Sequence, residues 1–283
     1  MSPSLAKILV CPLCHFPLVE MSPNAVECRG PLKHVFPVVE GAPLLLVETA
    51  GRAVSLQGLA ADYRAWAAQW GMRWDGQRRK IWRAVLRAAA RAAPPPGAFA
   101  DLGAGNGGLA ALAAHAGYDA IALDAAMPEK GPYVRAGADF EALPLEDGSL
   151  RVAAFVAALH YSQDLRAALG EARRVLDDQG VMVVALTPIH FTPEGAASAA
   201  DTTRREIRAA TGDRGLAAAY HHLTRPELVE ALEAAGFLVE ERPSGLGMGE
   251  RAARQARALL AGDAMARFPL LVCSPGGQRG ANQ

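Results

Sequence analysis

Hydrophobic positions along this chain change period several times, and each change predicts an element. Near the amino terminus the apolar runs are short: Leu18-Val19-Glu20, Val26-Glu27 and Val35-Phe36-Pro37-Val38-Val39. Such runs predict small strands. Across residues 52–91 the spacing turns helical, with Ile81, Trp82, Val85, Leu86 and Ala89 on one stripe. Gly71 and Gly76 predict breaks in that helix. Ala92-Ala93-Pro94-Pro95-Pro96-Gly97 ends it, since proline cannot continue a helix. Beyond this boundary, strand-like runs at 98–102, 119–123, 152–157, 237–240 and 268–273 alternate with helical stretches at 109–116, 163–176 and 224–236. Thr224 predicts a helix cap, Pro226 lies in the first turn, and Gly236 is the stop. Such alternation implies an α/β fold, a mainly parallel sheet with helices on both faces.

These patterns divide the chain into a small β module at 1–48, a helical connector at 49–97, an α/β domain at 98–275 and a short flexible tail at 276–283. The 283 residues suffice for one sizeable domain plus something smaller. Basic and acidic residues balance at 29 each, so no global charge argues for nucleic acid or membrane, although a local asymmetry can. Hydrophobic residues make up 51% of the chain, yet no uninterrupted apolar run reaches the ~18 residues of a membrane span. No signal peptide is read at the amino terminus, so a cytoplasmic, membrane-free protein is expected.

The connector carries a local asymmetry. All four tryptophans are here, and Trp66, Trp70 and Trp74 stand at i, i+4 and i+8, on one face if Gly71 does not interrupt. Arg79, Arg83, Arg87 and Arg91 run down another face, with Arg73, Arg78 and Lys80 adding charge and Asp75 alone opposing it. One reading is a helix packed through its tryptophans with solvated arginines. The other is an RNA- or phosphate-binding face with aromatic platforms.

Three of the four cysteines fall within the first 28 residues, which in a chain without secretory context favours metal over disulfides. Cys11-Pro12-Leu13-Cys14 is a Cys-x2-Cys knuckle, followed by Cys28 and His34. Three thiolates and an imidazole make a closed tetrahedral zinc site, and metal would supply much of the folding free energy of so small a module. His15 is the alternative fourth ligand. Residues 8–14, Cys28 and 36–45 resemble the small zinc-ribbon family that serves methyltransferases as a partner subunit or a fused amino-terminal domain. That family spaces its second ligand pair closely, whereas five residues separate Cys28 from His34 here.

The densest glycine stretch follows the strand at 98–102: Asp101-Leu102-Gly103-Ala104-Gly105-Asn106-Gly107-Gly108. A strand, a glycine turn and a helix point free N–H groups and a positive helix end at the turn, which suits an anionic ligand group. Gly103, Gly105 and Gly108 also satisfy the dinucleotide fingerprint of NAD enzymes. Asp124, at the end of the next strand, can accept hydrogen bonds from both hydroxyls of an adenosine ribose in either cofactor.

Asp101-x-Gly103-x-Gly105-x-Gly107 resembles the first motif of class I S-adenosylmethionine (SAM) methyltransferases, and 137–150 resembles a later segment of the same family. The resemblance implies a Rossmann-like, seven-stranded, mainly parallel sheet with one antiparallel strand near its end, here 268–273. It places residues 179–185 as the fifth strand. It further implies that Asp101 acts near the methionine amino group, that Asp139 binds the adenine amino group and that Phe140 contacts the ring. Leu150-Arg151 departs from the Phe-Asp usual in that segment. His160 and Tyr161, after the fourth strand, occupy the substrate-facing position and are candidates for a substrate contact or base. His190, His221 and His222 can line the same opening, and Cys273 reads as a buried strand residue.

The expected function is methyl transfer from SAM, with zinc in the ribbon. Domain order resembles the bacterial large-subunit ribosomal RNA guanine-N1 methyltransferases, which implies a structured RNA acceptor. A small-molecule acceptor is the alternative. A non-catalytic zinc-ribbon binding protein and an NAD-dependent oxidoreductase are two further readings.

Overall fold

The computed structural model of the chain describes residues 8–47, 56–212, 215–242 and 268–276. In the first helix the side chains of 56, 57, 59 and 67–77 lie outside the described set, and with them Trp70, Trp74, Arg73 and Asp75. Residues 277–283, expected as a tail, also lie outside it.

The amino-terminal module is an antiparallel meander of β1 (Leu18–Ser22), β2 (Ala25–Cys28), β3 (Val35–Val39) and β4 (Ala42–Leu45). Helix α1 (Leu56–Ala92) follows. It runs through Gly71 and Gly76, where breaks were expected. An isolated glycine costs a helix only about 1 kcal/mol, and α1 is held by packing on either side of the pair. Trp66 is buried with Ile207 and Leu216, while Ile81, Val85 and Ala89 are buried against the sheet.

The larger domain alternates strands and helices: β5 (Ala98–Leu102), α2 (Gly108–His115), β6 (Asp119–Asp124), β7 (Val134–Ala138), β8 (Leu150–Val156), α3 (Leu165–Val175) and β9 (Leu176–Ala185). Then come β10 (Ile189–His190), α4 (Pro193–Thr211), α5 (Leu216–Ala219), β11 (Leu223–Thr224), α6 (Arg225–Ala234), β12 (Phe237–Arg242) and β13 (Leu270–Pro275). Thr224 caps α6 in a reciprocal capping box with Glu227, as its Thr-x-x-Glu spacing requires.

Seven of these strands pair in the order β7-β6-β5-β8-β9-β13-β12. All are parallel except β13, which runs antiparallel to both β9 and β12. Side chains alternate across the sheet as a two-residue period demands. Leu102, Leu123 and Phe155 point into one core with α3 and α6, and Phe99, Ala122 and Ala154 into the other with α1 and α2.

The ribbon extends this sheet. β4 pairs in parallel with β7, Leu44 opposite Gly137 and Leu45 opposite Ala138, so eleven strands form one continuous sheet. Gly137 suits this close pairing, because a Cβ there would press on the end of the Leu44 side chain. Buried Arg135 of β7 donates to the Pro128 carbonyl at 2.6 Å and to the Glu40 carbonyl of the ribbon, and its guanidinium lies 3.6 Å from the Glu40 carboxylate. A second junction joins Val10 N–H to the Pro144 carbonyl and Glu146 N–H to the Ile8 carbonyl, both at 3.0 Å.

Candidate functional site

Strands β5, β6 and β7 end side by side, and their carboxyl ends open a crevice of about 590 Å³, its mouth included. Open parallel sheets place ligands at this edge. Gly103, Asp124, Asp139 and Phe140 line the crevice together with Tyr161. The glycine turn leaves β5 with Gly103 N–H and Ala104 N–H both donating to the Leu123 carbonyl, at 2.8 and 3.0 Å. Gly103 takes a φ of +76°, and a Cβ there would also strike Ala158. Its role is therefore steric as well as conformational.

Asp124 accepts from Gly105 N–H and Ala126 N–H, each at 2.8 Å, which locks the carboxylate against the turn. Burial raises its pKa to about 6, against the pull of those two N–H groups and of Arg64. Asp139 accepts from Glu141 N–H at 3.0 Å. Asp101 does not line the crevice. It is buried beneath the turn, its Oδ2 accepting from Ala110 N–H at 3.2 Å in the first turn of α2. Burial lifts its pKa to about 7. Gly105 and Gly107 shape the turn from the side, with φ of +55° and +81°, and do not line the crevice.

Gly108 opens α2 under the Trp82 ring, which a Cβ would strike. Trp82 thus holds α1 on the turn. Gly108→Ala is expected to cost about 1–3 kcal/mol by overpacking, with partial recovery in the Trp82→Leu background. Denaturant midpoints of the two single variants and the double variant check this, and strict additivity would refute the contact.

Sequence reasoning missed the other side of the crevice. Ala60 and Tyr63 of α1, Leu216 of α5, Glu141 and Gln163 line it. Glu141 falls inside the readable 137–150 segment, but no local motif marks the others, and Ala60 and Tyr63 arrive by packing of α1, far away in sequence. The Tyr63 hydroxyl lies over the turn, 3.3 Å from where a Cβ of Gly105 would stand. Arg174 ties down the 143–147 loop behind the crevice. It donates to the Leu145 carbonyl at 2.7 Å and the Leu143 carbonyl at 3.0 Å, and pairs with Glu171 and Asp147.

His160 and Tyr161 form a short 3-10 turn after β8. Tyr161 lines the crevice, accepts from Trp66 Nε1 at 3.1 Å and packs edge-on against Tyr63. Burial holds its hydroxyl neutral, well above the usual range. His160 faces away from the crevice lining, between Tyr161 and Tyr220, with ring centroids 4.4 and 5.0 Å away. Burial, then the nearby His222 and His221, lower its pKa to about 3, so it is neutral at physiological pH. His190 and His222 form a separate pair with their nitrogens 2.7 Å apart, and His221 bonds the Ser162 carbonyl.

At the far end of the ribbon, the ligand atoms of Cys11, Cys14, Cys28 and His34 all lie within 4.8 Å of one another. The closest approach is 3.3 Å, between the Cys14 and Cys28 sulfurs, too long for a disulfide. Gly30 N–H donates to Cys28 Sγ at 3.1 Å. Burial acts to raise the Cys28 thiol, but hydrogen bonds from Cys14 and from the Gly30 and His34 backbones outweigh it and leave it lowered. Three convergent sulfurs and a ring nitrogen fit a tetrahedral zinc donor set. His15 stands outside the cluster. Cys273 is buried in β13. Among the described residues, no helix is long and apolar enough to cross a membrane.

Residues 100–184 match the family model described as a methyltransferase domain. A UPF0434 protein of Nitrosospira multiformis is 42% identical over 53 residues, 18% of this chain and 85% of that protein. Among solved structures, a chain from the complex of the Trm112 methyltransferase activator with a methyltransferase of Haloferax volcanii is similar at a TM-score of 0.53. Its identity is 20%, covering 78% of this chain and 99% of that one. A SAM-dependent methyltransferase of Thermotoga maritima is similar at a TM-score of 0.48 and 16% identity, over 77% of this chain and 99% of that one. The α/β domain has the class I methyltransferase fold, fused to an amino-terminal ribbon. Through its match to the Nitrosospira multiformis protein the chain belongs to the UPF0434 family.

Proposed function

We propose that this chain is a SAM-dependent methyltransferase whose cofactor lies in the crevice beside Gly103. The observation that carries the reading is the convergence of Gly103, Asp124, Asp139 and Phe140, drawn from three strand ends, on one crevice. SAM supplies an electrophilic methyl group on a sulfonium. Asp124 takes the ribose hydroxyls, Asp139 the adenine amino group, and Phe140 one face of the ring. Tyr63 and Leu216 exclude water from the opposite side.

Methyl transfer is an in-line displacement, so alignment does most of the work. Ala60, Tyr63, Tyr161 and Leu216 make an uncharged wall suited to a flat acceptor, a nucleobase or a small aromatic molecule. Neutral Tyr161 positions that acceptor by its ring face. His160 is a poor general base, because burial and the neighbouring histidines strongly disfavour its protonated form. It acts instead as a neutral packing partner for Tyr161. Zinc, held by Cys11, Cys14, Cys28 and His34, fixes the ribbon. The sheet junction through β4 and β7 makes the ribbon a built-in support for the crevice.

Incubation with methyl-labelled SAM and fractionated cell extract tests the reading. Label is expected to enter one fraction with the native chain and not with Asp124→Ala. No transfer, together with no heat on titration with S-adenosylhomocysteine, would leave the non-catalytic binding protein standing. Enhanced NADH fluorescence would favour the oxidoreductase.

A further inference from the structure

We propose that the exposed arginine ladder of α1 (Arg79, Arg83, Arg87 and Arg91) is a docking track for the phosphodiester backbone of an RNA methyl acceptor. The proposal rests on the methyltransferase reading above and names its substrate class.

The charge is concentrated far beyond the chain average. Residues 76–100 carry Arg78, Arg79, Lys80, Arg83, Arg87 and Arg91 and no aspartate or glutamate, in a chain of net charge zero. All four ladder arginines are exposed, and none forms an ion pair among the described residues. Like charges at i, i+4 spacing destabilise a helix. A face kept only for solubility would do better with interspersed acids, as a mixed surface does. The ladder therefore carries a local cost that a polyanion would relieve.

Its geometry suits a strand of phosphates. Four residues advance roughly 6 Å along a helix, so the ladder spans roughly 18 Å with its guanidinium groups at regular intervals. Arginine binds phosphate oxygens through two parallel N–H donors. Arg87 and Arg91 also wall a groove whose far side carries Glu240 and Arg242 of β12 and Ser274 of β13, enclosing about 1070 Å³ with its open mouth. Arg242 is held in place there by Glu240, at 2.7 Å.

The track leads toward the chemistry. Trp82, between Arg79 and Arg83, lies on Gly108 at the glycine turn, and the same helix carries Ala60 and Tyr63 into the crevice. An RNA held along the ladder is thus brought to the edge of the cofactor site. A lipid surface fits less well. The exposed large apolar side chains among the described residues are Leu13, Phe16, Met21, Leu32, Val35 and Val39 of the ribbon, with Phe191 and Leu238, and none lies on the ladder.

The test uses the full chain, a fluorescent stem-loop RNA and a salt series. Phosphate contacts make log affinity fall linearly with log salt, by about 0.9 per contact for a duplex. The quadruple variant R79Q/R83Q/R87Q/R91Q is expected to bind at least tenfold more weakly, with a salt slope shallower by about 3 to 4. Its melting temperature should equal or exceed that of the native chain, since the like-charge repulsion is removed, and its affinity for S-adenosylhomocysteine should match. The pair R166Q/R205Q, exposed arginines elsewhere, should bind RNA like the native chain. Equal RNA binding by the quadruple variant would overturn the proposal. So would weak, salt-independent binding by the native chain, or a preference for anionic vesicles over RNA. Loss of cofactor binding in the native chain would instead refute the methyltransferase reading, so the two failures are distinguishable.

Discussion

Cys28→Ser is expected to empty the ribbon of metal and to lower the melting temperature of the whole chain. Structural zinc contributes about 10–16 kcal/mol of apparent binding free energy in small metal-dependent modules. The ribbon has few alternatives to it. Six of its large apolar side chains, including Leu32 at 73% exposure, lie on the surface, and Leu9, Val10, Phe36 and Leu45 are the large ones it buries. The loss should not stay local. β4 covers the edge of β7, and buried Arg135 is satisfied in part by the ribbon's Glu40 carbonyl. Without the ribbon, β7 becomes an open edge and a buried guanidinium loses a partner, a costly change. Asp139 follows β7 directly, so cofactor affinity should weaken as well. Metal content, thermal unfolding and titration with S-adenosylhomocysteine read the three effects. A native melting temperature in a zinc-free variant would sink the account. Retention of zinc by His34→Ala would move the fourth ligand elsewhere, with His15 the next residue to test.

Most elements of the ribbon and of the α/β domain were legible because each carries its own local signal. Short β-branched runs, the triple proline at 94–96 and the Thr224 capping box all act over a few residues. What was not legible depends on distant parts of the chain. β7 contains Arg135 and Gly137 and does not read as an apolar strand. Both residues are explained in part by the ribbon: the arginine reaches Glu40 as well as Pro128, and the glycine admits Leu44. The continuity of the ribbon with the main sheet is therefore a long-range fact encoded at positions that look locally wrong. Helix α4 (Pro193–Thr211), rich in alanine, threonine and arginine, shows no strong apolar stripe in sequence.

The same division runs through the site. Gly103 of the glycine turn, Asp124, Asp139 and Phe140 stand at readable positions, and they line one crevice. Tyr63 of α1, Leu216 of α5 and Gln163 of the loop before α3 are far apart in sequence and carry no motif. Asp101 is the instructive intermediate. Its place in the pattern is readable, but it lies outside the crevice, and its burial and its bond to Ala110 N–H hold the start of α2 beneath the turn. A carboxylate near a helix amino terminus stabilises the helix dipole.

Asp124→Ala is expected to weaken binding of S-adenosylhomocysteine by about 100-fold or more. Each hydrogen bond to an ionised carboxylate contributes about 1.5–3 kcal/mol, and two ribose hydroxyls are lost at once. Every 1.4 kcal/mol is a factor of ten. The variant also strands the Gly105 and Ala126 N–H groups, so the turn itself should loosen. Asp124→Asn retains a carbonyl acceptor for one of them and should fall between the two. The pH dependence follows from the raised pKa values. Folding lifts Asp124 to about 6 and Asp101 to about 7 from an ordinary 3.8, chiefly by burial. Between about pH 4 and those values the folded chain holds protons that the unfolded chain has released. Stability from this pair is therefore present at acid pH and declines as pH rises through 6 to 7. Cofactor affinity moves the opposite way, since ribose hydroxyls donate best to the ionised carboxylate. Titrations from pH 5 to pH 8 should show affinity rising, with an inflection near 6 that Asp124→Asn removes. A flat profile in the native chain, or an unchanged inflection in the asparagine variant, would mean that Asp124 does not grip the sugar.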